Sequence, residues 1–209
     1  MNQDWLMYEK EAFDAGYKLV CGVDEAGRGP LAGPVCAAAV ILPDNGIVID
    51  GVNDSKKLSE KKRETLSEII KCKALSYCVA FADVQEIEEY NILHAALLAM
   101  KRAVDGLLIA ADYALIDGNK APPVKISCKT IVKGDAKSMS VACASILAKV
   151  TRDKLMMQYA NEYPNYSFEK HKGYGTKLHI EKLKEFGPCV LHRPSFLKKI
   201  IIKDENEIK

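Results

Sequence analysis

The sequence predicts an α/β fold: a mixed β-sheet flanked by helices, with a C-terminal helical extension. Three observations carry that expectation. Short apolar runs alternate with longer segments of helical periodicity, so both the strand and the helix period occur along one chain. Hydrophobic residues make up 48% of 209 positions, enough to fill a core without disulfide staples. No internal repeat, low-complexity tract or Ser/Gly linker divides the chain, which suits one domain overall, with residues 1–164 as its core and residues 165–209 as a basic helical extension packed on it.

The elements follow in order. After a polar helix-like stretch, Lys18 to Val23 is an apolar run that stops at Asp24–Glu25–Ala26–Gly27. Gly33 to Leu42 is a second run, bounded by Pro43–Asp44–Asn45–Gly46, so two strands joined by a Gly-rich turn fit best. Ser59 is placed to cap a helix running to about Ile70, with Lys62 rather than Glu three residues on. Leu75 to Ala82 reads as a third strand. Asp83 to Leu108 sets Ile87, Leu93, Leu97, Leu98, Met100 and Val104 on a helical stripe, the strongest helix signal present. Tyr113 to Ile116 ends in Asp117–Gly118, and Val124 to Val132 ends in Lys133–Gly134–Asp135; both read as strands. Ser138 to Tyr159 is helical, with Ala142, Ala144, Ser145 and Ala148 small enough to let it approach a sheet closely. Beyond Pro164 the clear helix is Thr176 to Phe186. The resulting order is βββαβαβα or nearly so.

Composition excludes several classes. The longest apolar run, Val35 to Leu42, falls well short of the ~18 residues that span a bilayer. The first fifteen residues carry Asp4, Glu9, Glu11 and Asp14 and no apolar h-region, so a cytoplasmic location without membrane contact is expected. Seven cysteines without CxxC spacing, most of them inside apolar runs, suit reduced buried thiols. His94, His171, His179 and His192 are scattered without metal-ligand spacing, which argues against structural zinc. Nothing calls for a second subunit, and a monomer is expected. The net charge of +2 is unevenly spread: residues 125–209 hold 17 Lys and Arg against 9 Asp and Glu, a net of +8, leaving −6 for the rest. A polyanionic partner such as nucleic acid and a merely solvated helical surface both fit that half.

Three apolar runs deliver acids at their ends: Asp24 with Glu25, then Asp117, then Asp135. Strand ends of an α/β sheet converge on one crevice, where clustered carboxylates repel one another unless hard divalent cations sit among them. Singly, each acid has a structural alternative: Asp117–Gly118 as a turn, Asp135 as a helix cap, Glu25 paired with a lysine. Successive strand side chains point to opposite faces, so Asp24 and Glu25 can serve one metal pair only if the chain bulges or leaves the sheet there. Gly27–Arg28–Gly29 follows at once, a loop whose amides can approach a sugar or phosphate closely.

The run Gly22–Val23–Asp24–Glu25–Ala26–Gly27–Arg28–Gly29–Pro30–Leu31–Ala32–Gly33–Pro34–Val35 closely resembles the N-terminal signature of ribonuclease HII, the type 2 ribonuclease H family. Further stretches resemble that family's motifs in the same order: Asn53–Asp54–Ser55–Lys56–Lys57–Leu58–Ser59, Asn91–Ile92–Leu93, Ile116–Asp117–Gly118, Lys133 to Ser138, Ala144 to Asp153, His171 to Thr176, and His192–Arg193 with Ser195–Phe196. The resemblance covers about residues 17–196. Ala96, Pro194 and Leu197–Lys198–Lys199 depart from it and leave the tail's part in duplex binding open; none touches a carboxylate.

The resemblance implies a ribonuclease H-like fold in which Asp24, Glu25, Asp117 and Asp135 bind two divalent ions, Mg²⁺ or Mn²⁺, and are the catalytic residues. It implies that Gly27, Arg28 and Gly29, with Tyr174, recognise the ribose 2′-hydroxyl, the group that separates RNA from DNA. Ser55 and Lys56 are expected phosphate contacts, although a Lys–Lys pair before a helix is equally a solvated surface. The implied reaction is hydrolysis of the phosphodiester 5′ to a ribonucleotide in an RNA/DNA hybrid or a DNA duplex with embedded ribonucleotides, leaving a 3′-hydroxyl and a 5′-phosphate, with two metals activating water and stabilising the leaving oxygen. Two other classes share parts of this pattern. A small-molecule metal-dependent phosphatase would use the acids but not the basic half; a non-catalytic RNA-binding module would use the basic half but not the acids.

Overall fold

The computed structural model describes residues 4–43 and 47–198. Helix α1 (Met7–Asp14) leads into β1 (Val20–Ala26) and β2 (Val35–Ile41), followed by α2 (Glu60–Lys73), β3 (Ser76–Ala82) and α3 (Val84–Asp105). Then come β4 (Tyr113–Asp117), β5 (Ser127–Ile131), α4 (Met139–Glu162), the short α5 (Phe168–His171) and α6 (Lys177–Phe186). The helix expected after Ser59 is present as α2 between the second and third strands, which the short form βββαβαβα leaves out, and no helix lies between β4 and β5. The segment 118–126 is too short for a helical crossover and connects the strands as a loop whose Val124 and Ile126 pack with the α3-side core.

The five strands form one sheet in the order β3-β2-β1-β4-β5. β2 is antiparallel to both β1 and β3, whereas β1, β4 and β5 run parallel. Alternation along β2 explains its unbroken apolar run. Val35, Ala37, Ala39 and Ile41 pack with the α3 residues, while Cys36, Ala38 and Val40 pack with α4 and α2. A strand covered on both faces needs hydrophobic side chains at every position.

Helix α4 lies hard against the sheet. A β-carbon on Gly22 would stand 2.1 Å from the backbone carbon of Ser140, so only glycine at this point of β1 permits the crossing. Ser138 caps α4, its hydroxyl accepting from the Val141 N–H, which leaves Asp135 out of the capping role considered for it. Glu9 of α1 accepts from Ser138 Oγ, Ser140 N and Ser140 Oγ at 2.6–3.0 Å, setting an acid at the positive end of the helix.

The expected helix from Asp83 to Leu108 is broken within α3. Asn91 has φ 65° and ψ 165°, and its side-chain oxygen accepts from Leu93 N and His94 N. It thus caps a second helical segment, a local competition with helix that asparagine is suited to win. Residues 166 and 168 pack with Ala32, Met156 and Ala160, joining the C-terminal extension to α4. The Pro43–Asp44–Asn45–Gly46 boundary falls largely on residues 44–46, and the tail from Lys199 to Lys209 likewise lies outside the described residues.

Candidate active site

β1 and β4 carry the acids to one end of the sheet. The pairing of β1 with β4 stops at Val23↔Ile116, so Asp24, Glu25 and Asp117 all lie just past the last rung. The expected bulge is absent: β1 stays in regular register with β2 through Ala26↔Cys36, and the strand runs through the two acids instead of stopping before them. With the β4 side open, both carboxylates reach one locus. Ligand oxygens of Asp24, Glu25 and Asp117 lie within 4.8 Å of one another.

Asp135 occupies the 3₁₀ turn Gly134–Ala136 that precedes α4. The turn is tied to the cluster by Gly134 N, which donates to Asp117 Oδ1 at 2.6 Å. Asp135 itself faces Lys56, with Nζ 3.6 Å from Oδ2.

The electrostatics of these acids are strained. Burial, then the charges of Glu25 and Asp117, push Asp24 well above the usual carboxylate range, against the hydrogen bond from Ser145. Burial raises Glu25 too, partly offset by Arg28 at 3.3 Å, and the charge of Asp117 adds to the rise. Asp135 is raised by burial and by Asp117 despite Lys56. For Lys56, burial alone would lower the pKa, but Asp135, Asp24, Asp54 and Asp117 outweigh it and hold the ammonium above its ordinary value. An all-oxygen set of converging carboxylates, in which Asp24, Glu25 and Asp135 resist ionisation, fits a hard divalent cation.

The Gly27–Arg28–Gly29 loop borders the cluster, and Tyr174 stands against it: a methyl at Gly29 would lie 3.9 Å from Tyr174 Cε1. The Tyr174 ring is partly exposed, with Lys149 Nζ 5.4 Å from its centroid. Lys56 projects outward, its side chain 82% exposed. Ser55 does not reach the crevice. Its hydroxyl is buried 2.9 Å from Ser145 Oγ, because the 3₁₀ turn Ser55–Lys57 docks on α4, so it acts on Asp24 only through Ser145.

Sequence reasoning missed several side chains here. Arg152 and Arg193 count toward the basic half, yet both are wholly buried. Arg152 donates to the carbonyls of Pro34, Ala32 and Lys172, and Arg193 to those of Gly27, Arg28 and Gly33. Three of the four histidines read as scattered, His171, His179 and His192, are in fact gathered under Tyr174, while His94 stays exposed on α3 beside Asn91. Cys189 N donates to His192 Nδ1, the two Nε2 atoms of His192 and His179 lie 3.0 Å apart, and His179 Nδ1 donates to the Tyr174 carbonyl. His171 stacks on His179 with centroids 4.2 Å apart. Each of these rings must be neutral to fill its place, since one nitrogen accepts. Burial pushes His179 and His192 down to about 4. The signal available in sequence was their place beside Lys172–Gly173–Tyr174 and Arg193, but residue type alone does not separate a buried relay from a surface.

Residues 21–199 match the model of the ribonuclease HII family. The chain is 52% identical over 201 residues to the ribonuclease HII of Caldicellulosiruptor saccharolyticus, covering 96% of this chain and 98% of that one. It is 56% identical over 179 residues to the ribonuclease HII of Idiomarina loihiensis, covering 85% and 95%. Among solved structures, the ribonuclease H2 of Pyrococcus horikoshii aligns with a TM-score of 0.72 and 27% identity, covering 89% of this chain and 97% of that one.

Proposed function

The chain belongs to the ribonuclease HII family and is a metal-dependent endoribonuclease acting on RNA/DNA hybrids, and from that premise we propose that it cuts on the 5′ side of a ribonucleotide, including one embedded in duplex DNA, using Asp24, Glu25, Asp117 and Asp135. The observation that carries this reading is the convergence of three carboxylates beside the Gly29–Tyr174 contact, because it sets cation ligands next to groups able to read a sugar hydroxyl.

Asp24, Glu25 and Asp117 hold the cation, with Asp135 completing the set for a second; Mg²⁺ and Mn²⁺ both suit oxygen donors. When bound, such ions activate water and stabilise the departing oxygen in an in-line displacement. The protein's own groups do the rest. Ser145, seated by Ser55, orients the Asp24 carboxylate. Gly134 N fixes Asp117. Lys56 sits where its ammonium can meet a backbone phosphate as well as Asp135. Arg28 restrains Glu25, while the amides of the glycine loop and the Tyr174 phenol contact the 2′-hydroxyl. The phosphorus–oxygen bond to the upstream 3′-oxygen breaks as the one to water forms, giving a 3′-hydroxyl and a 5′-phosphate.

The test is gel analysis of a DNA duplex carrying one ribonucleotide, incubated with Mg²⁺ or Mn²⁺. One cut on the 5′ side of the ribonucleotide is expected, with no hydrolysis of a chromogenic phosphate monoester. Cutting elsewhere, or equal cutting of an all-deoxy duplex, would overturn the reading.

A further inference from the structure

We propose that Arg193 is a positioning residue for ribonucleotide discrimination, holding the Gly27–Arg28–Gly29 loop so that two consecutive peptide N–H groups face outward as paired donors to the 2′-hydroxyl oxygen. The proposal rests on the reading of that loop given above and names what sets its geometry.

Arg193 is wholly buried and makes no ion pair within 4.0 Å among the described residues, the charge of Glu88 acting on it only from farther away. Its guanidinium instead donates to main-chain carbonyls: Nη2 to Gly27 O at 2.7 Å, Nη1 to Arg28 O at 3.0 Å, and Nε and Nη2 to Gly33 O at 2.9 and 2.7 Å. Its own amide donates to Leu31 O at 2.8 Å, pinning the residue to the far end of the same loop.

No peptide bond here is cis, so within each planar unit the C=O and N–H point in opposite directions. The Gly27 carbonyl shares its unit with the Arg28 N–H, and the Arg28 carbonyl with the Gly29 N–H. Both carbonyls are turned onto a buried guanidinium, which turns both N–H groups away from the interior. No group among the described residues accepts from either. Beside them the Tyr174 hydroxyl also has no hydrogen-bond partner among the described residues, with its ring against Gly29. Two amides and a phenol are thus left unpaired around one small space, matching an oxygen that accepts twice and donates once.

Burying a charge without a counter-ion is costly, and a carbonyl cage only offsets it. Filling this space would need no guanidinium. A planar fork does what an ammonium cannot: it reaches three carbonyls in fixed directions at once.

The experiment compares the wild-type enzyme with Arg193→Lys and Arg193→Gln in single-turnover cleavage of duplexes holding one ribonucleotide or one 2′-fluoro nucleotide, alongside duplex affinity. The expected result is a loss of about 30- to 100-fold on the ribonucleotide, in line with slight misplacement of reacting groups. Much less should be lost on the 2′-fluoro substrate, so that the preference shrinks, with affinity within about threefold because phosphates supply most of it. A Val104→Ala core variant serves as the stability control and should keep the wild-type preference. Arg193 variants that retain the preference overturn the proposal; a wild-type enzyme with no preference overturns instead the reading beneath it. Should the variants not fold, amide exchange on the wild-type protein decides. The Arg28 and Gly29 amides should exchange fast in the free protein and slow down with a ribonucleotide duplex but not an all-deoxy one. Slow exchange in the free protein would overturn the proposal.

Discussion

The Nε atom of Arg152 lies 2.1 Å from where a β-carbon on Gly27 would stand, so the guanidinium stem fills the space that a side chain on Gly27 would take. Gly27 also has φ +97°, a conformation that other residues adopt only with strain.

Gly27→Ala should therefore displace both the loop and Arg152. We expect a stability loss of about 2–3 kcal/mol by urea denaturation and a fall in cleavage on the order of a hundredfold. A variant with more than about a tenth of wild-type turnover would show that the loop tolerates displacement.

Neutralising an acid should separate stability from activity. Asp24, Glu25 and Asp135 are all raised, so holding them ionised costs the cation-free protein stability at neutral pH. Asp24→Asn is expected to raise the melting temperature without metal, by about 2–4 °C per kcal/mol relieved, while abolishing both cleavage and the melting shift on adding Mn²⁺. Asp117→Asn should likewise nearly abolish cleavage. An unchanged Mn²⁺ shift in Asp24→Asn would remove this acid from the ligand set.

Tyr174→Phe deletes one hydrogen bond and keeps the ring. A neutral hydrogen bond contributes about 0.5–1.5 kcal/mol and each 1.36 kcal/mol is roughly tenfold in rate, so cleavage should slow by about threefold to tenfold. Tyr174→Ala should cost more. Equal rates for Tyr174→Ala and wild type, measured in single turnover, would end the assignment of this ring to substrate.

Acid should loosen the layer beneath Tyr174. The pKa values of His179 and His192 near 4 lie below the unfolded value of 6.5. Their contribution is therefore fully present above pH 6.5 and is lost as pH falls toward 4, where the unfolded chain has already taken up protons. At pH 5 the loss is about 2 kcal/mol for each ring. The raised carboxylates act in the opposite sense, so the measurement is a difference: the pH slope of unfolding free energy for wild type minus that for His179→Gln. A difference of zero between pH 7 and 5 would mean that the ring titrates in the folded protein as it does in the unfolded chain.

Much of the site was legible because its chemistry is local. Each acid of the cluster closes an apolar run, and the strand period places those runs in a sheet whatever the neighbours do. Ser59 caps its helix as its spacing promised, and the helices expected from Ser138 and Thr176 begin at those residues, which cap them. What was not legible depends on contacts distant in sequence. Arg193 meets Gly27 across 166 residues, and Glu9 meets Ser140 across 131; nothing in the flanking residues distinguishes a buried arginine from an exposed one. The reach of β1 through Asp24 and Glu25 was hidden for a similar reason. Where the pairing of β1 with β4 stops, at Val23↔Ile116, while β1 continues against β2 through Ala26, depends on strands far apart in sequence.

The dependence of the Gly27–Arg28–Gly29 loop on Arg193 has a consequence for the timing of synthesis. The Arg28 carbonyl is synthesised 165 residues ahead of the guanidinium it meets. Closing so long a loop is a late folding event. If Arg193 positions the loop as proposed, a chain folded without it can bring Asp24, Glu25, Asp117 and Asp135 together and still lack the geometry that tells a ribose from a deoxyribose.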